Sequence, residues 1–168
     1  MLRLVALLTL LAVPVVGDAQ FQCTAVPCTA TLYYRPITAG AGFLSFLNHS
    51  FWYTGYQYGG LTLFVAVEDG GPQNPGCSGG CGYLQAWYTP ATVGHYPEDN
   101  VNTATLWWDT GYTYEACTAV TAITTYTQTF PNSSYIYARL SQNSNTFAHW
   151  AANNAGLTPP APPSAQGW

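Results

Sequence analysis

The stretch LNHSFWYTGYQYGGLTLFVAVE, residues 47 to 68, decides the fold. Leu47 to Gln57 and Leu61 to Glu68 are dense in aromatic and β-branched residues, which suit a pleated, half-buried surface. Between them Tyr58-Gly59-Gly60 is tight-turn sequence, so the two runs predict an antiparallel hairpin. With Tyr58 and Gly59 as the turn, Gln57 opposes Gly60 and His49 falls directly across from Glu68. A one-residue change of register replaces Glu68 by Asp69 or Val67.

Outward from the hairpin, Thr29 to Arg35 reads as a further strand ended by Pro36, and Tyr83 to Thr89 and Thr105 to Trp108 as two more. The Gly/Pro/Asn-rich stretch from Gly70 to Gly82 reads as a loop. The period then changes. Cys117, Val120, Ile123 and Tyr126 or Phe130 recur every three or four positions between Tyr114 and Phe130, and Pro131 stops the run, which predicts a helix despite its many threonines. Tyr135 to Leu140 alternates like a strand. Asn143 to Asn154 predicts a second helix, capped by Asn143 or Ser144 and stopped by Gly156. The expected architecture is α+β, an antiparallel sheet with two packed helices.

The chain has 168 residues, of which 48% are hydrophobic and only 6% charged, with a net charge of -4 and no lysine. That balance excludes a basic nucleic-acid surface. The N-terminus has the form of a secretory leader: a charged start at Arg3, an apolar run from Leu4 to Val16, and the small residues Gly17 and Ala19. The run is too short to span a bilayer, so the expectation is a leader over residues 1–19, a single domain over 20–157, and a secreted or periplasmic product with no membrane span. Residues 158–168 form a Pro-rich tail whose terminal Trp168 predicts docking on the domain.

An oxidising compartment favours disulfides. Cys23 and Cys28, and Cys77 and Cys81, lie close in sequence, and bridges within each pair are the simplest arrangement, leaving Cys117 as a small buried apolar residue on the first helix. No metal-ligand array and no glycine-rich phosphate loop appears, so neither a metal nor a cofactor is expected. His95, with Glu98 and Asp99, has residue types that suit a cation but the sequence of a solvated turn. Asn48-His49-Ser50 and Asn132-Ser133-Ser134 fit the glycosylation pattern.

Two positions carry candidate chemistry. A carboxylate that orients an imidazole prepares a general base, which the expected pairing of His49 with Glu68 would supply. Ser144 opens the second helix, where unpaired amides favour a nucleophile and a developing oxyanion, although serine there is also a common cap.

The segment Asn143-Ser144-Asn145-Thr146-Phe147 is preceded by a helix and a tyrosine-bearing strand and followed by Pro162-Pro163-Ser164-Ala165-Gln166-Gly167-Trp168. It resembles a bacterial family of uncharacterised proteins with a Trp-Pro-Gly-Pro-Asn-Ser-Asn-Thr-Phe signature, and His49 with Phe51 and Trp52 resembles that family's His-Thr-Trp strand. The order of elements is similar to the circularly permuted papain-like superfamily, which includes the NlpC and lecithin:retinol acyltransferase types. The resemblance implies a permuted papain-like fold with His49 as base and Ser144 as nucleophile. The backbone amides of Asn145 and Thr146 would then hold the oxyanion. The chain departs from the pattern in having Ser141-Gln142 where the family has Gly-Pro, and serine where the active superfamily has cysteine.

Two readings follow. One is an exported hydrolase or acyltransferase acting on an amide or ester of a small-molecule, peptide or cell-envelope substrate through Ser144, His49 and Glu68. The other is a non-catalytic secreted binding or structural domain in which Ser144 only caps a helix.

Overall fold

A computed structural model of the protein describes residues 26–37, 47–74, 81–92 and 99–168. Five strands form one antiparallel sheet: β1 (Cys28–Pro36), β2 (Asn48–Tyr58), β3 (Leu61–Asn74), β4 (Cys81–Pro90) and β5 (Thr105–Asp109), in the order β4-β3-β2-β1-β5. Two helices, α1 (Ala116–Thr129) and α2 (Ser144–Asn154), complete an α+β architecture. Both hairpin strands form, but the turn is Gly59-Gly60. These two residues take left-handed φ values of 59° and 80°, a conformation glycine adopts without steric cost. Tyr58 therefore opposes Leu61, and after a register shift between Thr54 and Gly55 it is Trp52 that opposes Glu68. The expected His49–Glu68 pair is not made. β3 also continues through the glycines to Asn74, because the stretch read as loop pairs with β4 from Ala66 onward.

The sheet is covered on both faces. On one, Leu32 and Ala30 of β1, Trp52 of β2 and Leu84 and Ala86 of β4 meet Val120 and Ile123 of α1 and Phe147, Ala148, Ala151 and Ala152 of α2 in the main core. The Trp52 indole donates to the Ala148 carbonyl at 2.9 Å. Phe147 lies so close to Gly70 that a Cβ there would collide with its ring. On the other face, Tyr33, Phe51, Tyr53 and Val67 form a smaller core, closed by Phe64, Ala91, Val101 and Ala104.

The threonines of α1 are accommodated by bonding back to the preceding turn, as Thr121 does to the Cys117 carbonyl and Thr127 to that of Ile123. α2 begins and ends where the sequence signals stand. Asn143 is its cap, and Gly156, at φ 70°, closes it with Leu157 N–H bonded to the Ala152 carbonyl. Tyr135 to Leu140 is a correction. It makes only the bridge Tyr83↔Ile136 to the edge of β4 and then folds back at Ala138↔Gln142 to start α2, which leaves no room for a strand.

The cysteine pairing is also corrected. Cys28 is bonded to Cys117, with their Cα atoms 4.9 Å apart, so Cys117 is no leftover thiol and Cys28 does not bridge Cys23. Backbone bonds between Cys28 and Thr113 bring the start of β1 beside the entry to α1, where Cys117 is the second helical residue. Cys23 and Cys77 lie outside the described residues. A disulfide fits an extracytoplasmic protein, and among the described residues no helix is long and apolar enough to cross a membrane.

Closing a loop with a sequence separation of 89 removes substantial entropy from the unfolded chain. Cys117→Ser is expected to lower the unfolding free energy by about 2–4 kcal/mol in a denaturant titration, and non-reducing peptide mapping should recover a 28–117 link.

Candidate functional site

The two-residue period of β2 separates the residues that the sequence suggested would work together. Ser50, Trp52 and Thr54 face the helices, whereas His49, Phe51 and Tyr53 face the smaller core. Glu68 shares the helix face. It is fully buried, and its Oε1 accepts from Thr54 at 2.7 Å and from Thr124 of α1 at 3.0 Å. Ser144 lies at the start of α2 on that same side and is buried. The structure therefore places Glu68 and the α2 helix, which Ser144 opens, on one side of the sheet and the His49 ring on the other.

The amides expected to hold an oxyanion are engaged as well. Those of Asn145 and Thr146 both donate to Asn143 Oδ1, at 2.8 and 3.3 Å, completing a capping box with the Thr146 hydroxyl. The C-terminal tail lies over this end of the helix. The Gln166 carbonyl accepts from the side chains of Asn143 and Asn145, the Gly167 carbonyl from the Thr146 hydroxyl, and the Trp168 ring lies 5.1 Å from that of His149. Asn145 also donates to the Asn48 carbonyl at 2.9 Å, which ties α2 to the edge of β2. The sequon residue Asn48 donates its own Nδ2 to the Pro163 carbonyl.

On the opposite face the structure assembles a cluster that the sequence reading did not contain. Arg35 and His49 are direct partners across β1 and β2, Asp69 follows Glu68 on β3 and so points the other way, and Asp99 arrives from the segment before β5. Arg35 Nε donates to Asp99 Oδ1 at 2.7 Å. His49 Nε2 lies 3.0 Å from Asp69 Oδ1 and 3.4 Å from Asp99 Oδ1. Both carboxyl side chains are fully buried and the imidazole nearly so. Tyr53 Oη fixes the Asp99 carbonyl at 2.7 Å, and the Gly70 amide donates to Asp69 Oδ1 at 2.6 Å. His95 and Glu98 lie outside the described residues.

Burial alone would lower the His49 pKa, but the Asp69 and Asp99 carboxylates outweigh it and raise the imidazole to about 9. Burial raises Asp69 to about 7 against the pull of His49. It is outweighed at Asp99, where His49 and Arg35 hold the carboxyl well below its usual range. Glu68, with no cation beside it among the causes of its shift, is pushed up by burial to about 7. His49, Asp69 and Asp99 are also the one set of side chains among the described residues with the donor types and spacing to hold a metal ion.

The one-residue register alternative in the sequence did contain Asp69, and Asp99 stood out only beside His95 and Glu98 on a turn read as solvated, whereas it is buried against His49; Arg35 had no local signal. Comparison with protein-family models, with curated proteins and with solved structures finds no match for this chain.

These shifts act in one direction above pH 4. The folded state keeps the protons of Asp69 and Glu68 to about pH 7, whereas the unfolded chain releases them near its ordinary carboxyl values, so their contribution falls as pH rises through that window. The stabilisation from protonated His49 is complete below about 6.5 and is lost as pH rises through about 9. Metal-free protein in EDTA is therefore expected to be most stable near pH 4–5 and to weaken steadily toward pH 9, by chemical denaturation at each pH. Glu68→Gln should flatten the part of that slope between about pH 4.5 and 7 and stabilise the protein at pH 8 by roughly 1–3 kcal/mol.

Proposed function

We propose that the protein is a secreted or periplasmic, non-catalytic binding or structural domain on a degenerate papain-like plan. The observation that carries this reading is the closure of the α2 N-terminus. Asn143 takes the two amides a reaction would need, and the tail carbonyls occupy the neighbouring side chains. Serine needs a base within hydrogen-bond reach to become a nucleophile, and the His49 ring sits on the far face of the sheet with carboxylate partners of its own. The secretory leader and the Cys28–Cys117 bond support the exported location.

A binding role has a surface to work with. Tyr58, Leu61 and Leu63 at the turn end of the β2–β3 hairpin are exposed, and the register puts all three on one face. Grouped exposed apolar side chains mark contact sites more often than singly scattered ones do. The low charge of the chain suits a neutral small molecule, peptide or cell-envelope component as the ligand better than a polyanion.

A fluorophosphonate probe is expected to leave Ser144 unmodified in the native protein, as read by intact mass. Stoichiometric labelling that disappears in Ser144→Ala would establish the hydrolase or acyltransferase reading with Ser144 as nucleophile and overturn this one. Stability should separate the two neighbouring residues. Asn143→Ala, which strips a buried cap of four partners, should cost roughly 2–4 kcal/mol, and Ser144→Ala about 1 kcal/mol or less.

A further inference from the structure

We infer that His49, Asp69 and Asp99 form a binding site for one divalent cation of the zinc class. The first support is spacing. His49 Nε2 lies 3.0 and 3.4 Å from the two carboxylate oxygens, and the three donors all lie within 4.8 Å of one another. Two donors each about 2.0–2.2 Å from a common ion stand roughly 3.0 Å apart at a right angle and roughly 3.4 Å apart at the tetrahedral angle. The imidazole thus stands from each carboxylate at the separation of two donors on one ion before any side chain moves.

The second support is independent of distance. Asp69 and Asp99 are buried, and among the described residues the Oδ2 atom of each has no hydrogen-bond partner. Buried carboxylate oxygens are normally satisfied, and a cation between the two groups that engages these Oδ2 atoms, beside the Oδ1 atoms or in their place after a carboxylate rotates, would satisfy both. The strands that present His49 and Asp69 are central in the sheet, so two donors sit on rigid backbone, while the Tyr53 hydroxyl and Arg35 hold Asp99 from either side. Arg35 Nε on Asp99 Oδ1 then acts as a positioning residue, orienting a ligand from behind as outer partners of metal sites do.

The donor set selects the ion. Calcium and magnesium favour all-oxygen sites, whereas one imidazole with two carboxylates suits zinc or a similar transition ion. The two carboxylates set two negative charges against a dication, with the Arg35 guanidinium beside Asp99 as a further cation.

The full-length chain, stripped with EDTA and then equilibrated with zinc, is expected to retain one zinc per chain by atomic emission. It should melt several degrees higher, with no comparable shift from calcium. Asp69→Asn should weaken zinc binding tenfold or more while its circular dichroism matches the parent. A parent chain that retains no zinc, a calcium shift equal to that of zinc, or a folded Asp69→Asn with parental affinity would overturn the inference. If Asp69→Asn does not fold, a zinc-edge anomalous map from crystals of the parent chain decides. A peak within about 2.2 Å of His49 Nε2 supports the site, and a peak elsewhere overturns it.

Discussion

The alternation of β2 is the constraint on which the rest of the structure depends. This strand lies at the centre of the sheet, and successive side chains must leave it on opposite faces. Trp52 goes to the helices and fixes α2 through the Ala148 carbonyl, while Phe51 and Tyr53 go the other way and nucleate a second, smaller core. Once Trp52 is committed, His49 has no choice of side. The same rule sends Glu68 under α1 and Asp69 toward His49, although the two acids are adjacent in the chain.

That division explains how so sparsely charged a chain comes to bury several of its ionisable groups. Arg35, His49, Asp69 and Asp99 meet in one place, where opposite charges offset much of the cost of leaving water. Glu68 has no such company. It lies among threonine hydroxyls, and its proton provides the neutrality that the cluster obtains from its own cations. The two sites on the two faces thus follow different electrostatic solutions imposed by one backbone.

The second organising feature is the convergence of three chain segments at the α2 N-terminus. The Asn143 cap, the Asn48 edge of β2 and the tail residues Gln166 and Gly167 share one hydrogen-bond network. A helix start is an attractive place for anions and oxyanions because its amides are unpaired. Here the Asn143 side chain accepts from two of those amides, and the tail carbonyls accept from the side chains of Asn143, Asn145 and Thr146, so three chain segments are joined at this helix start.

Much of this was legible in the residues. The glycine pair between aromatic runs determined the hairpin, the three-to-four spacing after Tyr114 and the stop at Pro131 determined α1, and Asn143 and Gly156 marked both ends of α2. These signals are local, arising from backbone sterics and orphan amides within a few residues of one another. Register was less legible, because moving the turn by one glycine and adding a single shift at Thr54 and Gly55 replaced the expected partner of His49. The bond between Cys28 and Cys117 and the meeting of Arg35, His49, Asp69 and Asp99 were decided only by the tertiary structure. Each depends on several strand registers acting together over distances where the chain between carries no pattern, so no short-range rule could select the partners.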